Sequence, residues 1–272
     1  MVLPSEKNLA EISWLHGVND KTLLKGSLSS DVNMLEADVL MGRLSNGKEA
    51  EIAIMAHPPN NESDLSLMEF VSIVDEFNKI SSLKKGIKLD FKNIKAFESA
   101  VRNDAFTKIL LQANYPVWLN ADILEGPLAL PESKPVDANR FLKGAKLFPN
   151  SILSLGWTTG FDKSQCASYN DSHIEEMLHT LNSNNVCQQV TFAVRAGLVA
   201  ESKRQINSLL CNNTHTLTIW SAINDDGFDI NNLNEVLNSV GVSRIYVDVP
   251  DKLRKRLNLN NSTNCMQKRY IL

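Results

Sequence analysis

The chain has 272 residues, of which 43% are hydrophobic and 22% charged, with a formal net charge of −3. This is the composition of an ordinary soluble protein. The near-neutral balance excludes broad nucleic-acid affinity, and no nucleic-acid-binding motif occurs. The length allows two domains, but all-parallel α/β barrels reach this size as one unit.

Taken in order, the strand candidates are "ISWLHGV" (12–18), "MLEADVLM" (34–41), "EIAIMAH" (51–57), "IKLDFK" (87–92), "VWLNADIL" (117–124), "ILSLGWTT" (152–159), "VTFAVRAGL" (190–198), "TLTIWSAI" (216–223) and "RIYVDV" (244–249). Amphipathic helix candidates lie between most of them. The clearest is 66–83, where Leu67, Phe70, Val71, Val74 and Phe77 recur on one face. Similar stripes mark 94–113, 137–148, 171–184, 200–211 and 231–240. Sequential βα units with right-handed crossovers predict either a closed barrel or an open doubly wound sheet. Nine candidates for eight staves imply that at least one strand lies outside the barrel. No repeat or linker divides residues 1–250, so they are read as one α/β barrel domain. A basic C-terminal tail follows at 251–272, carrying Lys252, Arg254, Lys255, Arg256, Lys268 and Arg269 against one acid. A solvated terminus is the favoured reading of this tail over an anionic-surface contact.

Cys166, Cys187, Cys211 and Cys265 have no metal-ligand spacing and give no disulfide framework. The first fifteen residues lack a basic segment followed by a long apolar core, and there is no transmembrane run of eighteen apolar residues. The expectation is therefore cytoplasmic, with secretion as the alternative. N-x-S/T sequons at Asn61, Asn170, Asn212, Asn260 and Asn261 favour secretion, but chance explains most of them in a chain this rich in Asn and Ser.

Chemistry concentrates at the strand ends. Residues two apart share a strand face, which pairs Glu36 with Asp38, Asp90 with Lys92 and Asn120 with Asp122, while the residues between them are apolar. If those faces point into a barrel, the clustered carboxylates need compensation. Glu36, Asp38 and Asp90 offer only oxygen, which suits one divalent cation, Mg²⁺ or Ca²⁺. His16 and His57 end their strands on the same side and titrate near neutrality. One imidazole removes a proton from a nucleophile and the other protonates a leaving oxygen, the equipment for in-line displacement at phosphorus. Lys92 offsets charge on the phosphate. Ordinary polar groups at strand ends, a structural ion pair of Glu36 and Asp38 with Lys or Arg, and an ion pair confined to Asp90 and Lys92 are the plain alternatives. Asn120, Asp122 and Arg195 are substrate-orienting candidates, or else a structural polar layer. Trp220 flanks the opening, whereas Trp157 is assigned to packing. No GxGxxG, GxxxxGK[ST] or GxSxG motif supports a dinucleotide, P-loop or serine-hydrolase site.

The pieces "HGVN" at 16–19, "EAD" at 36–38, "AH" at 56–57 and "LDFK" at 89–92, with the Trp of "IWSAIN" and the "VDVP" ending, resemble the phospholipase-C-like phosphodiesterases. That superfamily includes glycerophosphodiester phosphodiesterases and sphingomyelinase D toxins. The set "SWLHGVND", "LEADV", "MAHPP", "LNADILEGP" and "FAVRAGL" looks like the menorin family. The resemblance implies a TIM-type (β/α)8 barrel with His16 and His57 as acid and base, Glu36, Asp38 and Asp90 as metal ligands, and Lys92 beside them. Asn19 of the first motif joins the substrate-binding candidates. Gly17 and Pro58 stand where the glycerophosphodiesterase pattern has Arg and Asp, which makes the pair more similar to the toxin subgroup. The expected activity is that of a metal-dependent phosphodiesterase or lyase on a lipid or small-molecule phosphodiester, with ring closure to a cyclic phosphate preferred over hydrolysis. The alternative is a catalytically silent menorin barrel that binds or scaffolds.

Overall fold

The computed structural model describes residues 8–45 and 50–259. Asn260, Asn261, Cys265, Lys268 and Arg269 lie outside the described residues.

A 3-10 turn at Leu9–Glu11 leads into β1 (Trp14–Leu15) and α1 (Lys21–Leu28). The long β2 (Met34–Leu44) is followed by the short β3 (Ile52–Met55), β4 (Glu62–Ser63) and then α2 (Leu67–Ile80). Next come β5 (Gly86–Phe91), α3 (Ile94–Val101), α4 (Asp104–Gln112), β6 (Val117–Glu125) and α5 (Ala138–Ala145). The second half comprises β7 (Ile152–Thr158), α6 (Asp171–Ser183), β8 (Val190–Arg195), α7 (Ala196–Val199) and α8 (Lys203–Leu209). It ends with β9 (Thr216–Trp220), α9 (Ile230–Val240), β10 (Ile245–Asp248) and α10 (Asp251–Arg254).

Eight strands form a nearly closed barrel in the order β1-β2-β5-β6-β7-β8-β9-β10, with every adjacent pair parallel. This is the TIM-type α/β architecture expected. Between β1 and β10 side chains bridge the seam. Trp14 meets Tyr246 edge to face at 6.2 Å, His16 bonds Asp248, and Arg254 donates to the carbonyls of Val247 and Ala10.

The supernumerary strand is "EIAIMAH". Its β3 runs antiparallel to β2, pairing Val39 with Met55, and is no stave. The reason is the length of β2, whose 11 residues project past the barrel rim and offer an edge on which the chain folds back. Other expected boundaries also shift. The 94–113 helix is two, because Asn103 accepts bonds from the amides of Ala105 and Phe106 and so caps a new helix. The 190–198 strand stops at Arg195 and turns directly into α7, and 216–223 stops at Trp220. The 12–18 strand contracts to Trp14–Leu15, with Ile12 capping the preceding 3-10 turn and His16 and Gly17 turning out of the strand. The start of the basic tail lies against the barrel, with Leu253 and Leu257 buried on the core.

Outward faces of the staves supply the core. Leu35, Ala37, Val39, Ile87, Leu89, Leu119, Leu153, Leu155, Phe192, Leu217, Ile219 and Ile245 are fully buried against helix faces such as Phe70, Val71 and Val74 of α2. Each large apolar side chain so buried contributes about 1.5–3 kcal/mol. The inward faces are different. At the lower end, Trp14, Trp118 and Tyr246 stack edge to face, with centroids 4.7 to 6.2 Å apart, and form an aromatic floor with Leu9 and Met34. Above the floor the lumen is polar. No helix among the described residues is long and apolar enough to cross a membrane.

Candidate functional site

The parallel registers place Asp38, Asp90 and Asn120 at one level on adjacent staves, with Glu36 one inward position below Asp38 and level with Lys88. Carboxylate oxygens of Glu36, Asp38 and Asp90 lie within 4.8 Å of one another. Glu36 and Asp38 are buried, at 6% and 5% exposure. Opposed oxygens around a six-coordinate Mg²⁺ or Ca²⁺ stand about 4–5 Å apart, so the spread and the oxygen-only donors fit such an ion.

The charges present are interleaved. Lys92 Nζ lies between Asp38 Oδ1 at 2.9 Å and Asp90 Oδ2 at 2.7 Å. The ion-pair alternative confined to Asp90 and Lys92 is thus too narrow, since Lys92 bridges two acids. Burial would lower the Lys92 pKa, but Asp90 and Asp38 outweigh it and hold the ammonium charged well above its usual range. Burial, together with the neighbouring Glu36 and Asp90, raises the Asp38 pKa against the pull of Lys92. That residual repulsion is what a cation would relieve.

His16 follows β1 at a turn whose Gly17 has φ +60°, a conformation that favours glycine. The Gly17 amide donates to Glu36 Oε2 at 3.0 Å, and His16 Nδ1 lies 3.3 Å from the same oxygen. His16 Nε2 contacts Asp248 of β10. Burial would lower the pKa of His16, but hydrogen bonds and charge from Asp248 and Glu36 push it up to about 10. Glu36 is held reciprocally low, its burial outweighed by His16 and Lys88.

Asn19 does not project freely toward a ligand. Its Nδ2 donates to Asp38 Oδ2 at 2.8 Å and its Oδ1 accepts from the Asp38 amide at 2.9 Å, so both ends orient Asp38. Asn120 Nδ2 donates to Asp90 Oδ1 at 2.7 Å and does the same for that acid. The Asp122 carbonyl accepts from the Val136 amide at 2.8 Å, but its carboxyl forms no hydrogen bond to another described residue. Burial and the charge of Asp90 raise its pKa to about 7, against the opposing pull of Lys92 and Lys88.

Arg195 and Trp220 form a separate group. Arg195 grips Asp225 through two bonds of 2.8 and 2.7 Å, donates to the Thr159 carbonyl, and stacks 5.0 Å over Trp220. Its guanidinium is therefore committed to holding the loop after β9. His57 forms no ion pair with the acids, although the amide of its neighbour Ala56 donates to the Asp38 carbonyl at 3.0 Å; its side chain is exposed, and its Nδ1 donates to the Pro58 carbonyl at 2.6 Å.

Asp248 is the residue that sequence reasoning leaves out of the site. It is one acid at the end of a four-residue strand, without a second polar partner two places away. The signal available was the "VDVP" match alone.

With this geometry in hand, comparison with known proteins is informative. The Menorin N-terminal domain profile matches residues 8–254. The chain belongs to the menorin family. Human Protein FAM151B is 37% identical over 243 residues, spanning 88% of this menorin chain and 83% of the relative. Among solved structures, a glycerophosphoryl diester phosphodiesterase from Parabacteroides distasonis superposes with a TM-score of 0.47 at 13% identity, covering 94% of this chain and 90% of that one. The GH53 catalytic domain of Ignisphaera aggregans gives 0.43 at 10% identity, covering 88% and 80%.

Proposed function

We propose that this menorin barrel is a metal-dependent phosphodiesterase or phospholipase-like lyase that works at the C-terminal mouth of its staves. The observation that carries the reading is the convergence of the Glu36, Asp38 and Asp90 carboxylates beside a histidine held by two acids.

Glu36, Asp38 and Asp90 would hold one Mg²⁺ or Ca²⁺, which would offset charge on the nonbridging phosphate oxygens. His16, oriented by Asp248 and Glu36 and carrying a proton, is set to protonate the leaving oxygen. His57 donates through Nδ1 to Pro58, which leaves Nε2 as the ring nitrogen that would take the nucleophile's proton. Asn19 and Asn120 fix the ligand carboxylates, and Lys92 keeps the acid cluster from repelling itself apart. Because both imidazoles move protons, the nucleophile preferred here is a neighbouring hydroxyl of the substrate, giving a cyclic phosphate.

The exposed position of His57, out of contact with the acids, is the observation that favours the silent scaffold. Turnover of 2-hydroxypropyl 4-nitrophenyl phosphate, which carries a neighbouring hydroxyl, with Mg²⁺ or Ca²⁺, compared with His16→Ala and His57→Ala, separates the readings. The enzyme reading expects both variants to fall far below wild type; rates equal in all three would favour a scaffold. Phosphorus-31 NMR of a hydroxyl-bearing diester then distinguishes a cyclic from a linear product.

A further inference from the structure

The turns that lead into the staves, at the end opposite the mouth, differ in charge around the barrel. Asp31 lies in the turn before β2, whereas residues 77–86, 108–116, 142–151 and 180–189, which lead into β5, β6, β7 and β8, contain no Asp or Glu. The same stretches carry Lys79, Lys84, Lys85, Lys108, Lys143 and Lys146. Helix C-termini favour lysine, and part of the set is used locally. Lys84 and Lys85 donate to backbone carbonyls, and Lys79 pairs with Asp75 at 2.6 Å. Lys108, Lys143 and Lys146 are exposed and pair with no acid among the described residues. Among these lysines stand large apolar side chains that helix dipoles do not explain: Ile80 is 88% exposed, Leu83 73%, Leu147 51% and Leu111 49%. They belong to one surface. The registers set Ile87 beside Val117 and Trp118 beside Ile152, so the turns before β5, β6 and β7 end at nearly one level. Tyr115 Oη donates to Asp75 of α2 at 3.4 Å, and Phe106 of α4 meets Phe148 edge to face at 5.9 Å, which ties those turns side by side.

Aliphatic tips held in water among unpaired ammonium groups suit an anionic lipid surface, where acyl chains receive the tips and head-group anions receive the lysines. We propose that this lower face is a docking surface for an anionic bilayer, entered by Ile80 and Leu83 and flanked by Lys108, Lys143 and Lys146. A second copy of the chain would set these lysines against one another. A protein partner binds best through an apolar cluster desolvated at the centre of an interface, whereas these four side chains stand on separate turns with lysines between them. The mouth, at the other end of the same staves, would open away from the bilayer. The docking does not depend on the phosphodiester reading, since it is measured without turnover.

Sedimentation of the full chain with phosphatidylcholine vesicles, with and without ~30% phosphatidylserine, tests the docking. The expected result is at least ~10-fold greater partitioning onto the anionic vesicles, weakening as salt is raised. Ile80→Asp with Leu83→Asp, and separately Lys143→Glu with Lys146→Glu, should each reduce that partitioning by ~10-fold or more. All four side chains are exposed, so the melting temperatures should stay near wild type. Ile223→Asp changes an equally exposed tip on the mouth-side loop after β9 and should bind as wild type does. No binding to either vesicle, equal binding to both, or a loss in Ile223→Asp alone overturns the proposal. Dimerisation in solution that Leu83→Asp abolishes, without vesicle binding, would assign the face to a second copy instead.

Discussion

The two ends of the lumen are built from the same staves, and they do opposite work. Trp14 lies two residues below His16, Met34 below Glu36, Trp118 below Asn120 and Tyr246 below Asp248. The lower member of each pair packs into an aromatic floor, while the upper one joins the charged mouth or its supports. One step of strand period separates a residue chosen for packing from one chosen for chemistry. The floor stabilises the barrel that holds the mouth, whereas the mouth places like charges close together and relies on Lys92 and His16 to offset them.

Substitutions at the two ends should therefore separate activity from stability. The largest effect is expected from His16→Ala, which should cut diester turnover by ~10²–10⁴-fold, the usual contribution of a positioned proton donor. Its urea midpoint should fall as well, because Asp248 and Glu36 lose the imidazolium they share. Turnover should drop far more than the folded fraction does; a loss no larger than the loss of folded protein would mean that His16 serves the seam instead. Trp118→Ala should do the reverse. Loss of a buried indole from the floor costs about 3–5 kcal/mol by urea unfolding, and activity should fall only as the folded fraction falls.

Lys92→Met tests the mouth's internal balance. Leaving the buried Asp38 and half-buried Asp90 without their shared ammonium should destabilise the metal-free protein by about 3–5 kcal/mol, and much less in Mg²⁺. Equal losses in both conditions would show that no cation takes over the compensation. Mg²⁺ alone, at about a hundred times its dissociation constant, should stabilise wild type by about 2.7 kcal/mol and do nothing for Asp38→Asn.

The smallest effect is a pH dependence at the seam. His16 is raised from 6.5 to about 10 in the folded protein. Its bonds to Asp248 and Glu36 thus contribute fully below pH 6.5, and that contribution is lost as the pH rises toward 10. Urea midpoints of metal-free protein should fall across that window, and less so in Asp248→Asn; parallel curves would mean that the pair is not coupled to folding.

How much of this was legible follows from what strand period can encode. Alternation exposes the inward faces of β2, β5 and β6 because Glu36 and Asp38, Asp90 and Lys92, and Asn120 and Asp122 repeat a pattern that apolar neighbours frame. It says nothing of partners, so "EIAIMAH" reads as a stave although it folds back on β2. The same blindness made Arg195 a substrate candidate, since Asp225 lies 30 residues away along the chain. Asp248 escaped because a lone acid has no period. The motif makes Asn19 a substrate-binding candidate, whereas the folded chain gives both ends of its side chain to Asp38.

The central claim is that Glu36, Asp38 and Asp90 form one cation site. Crystals grown with Mn²⁺ and measured for its anomalous scattering test it directly. The account predicts a single strong peak bounded by those three carboxylates, absent in Glu36→Gln. A peak elsewhere, or none at the mouth at millimolar Mn²⁺, would contradict it.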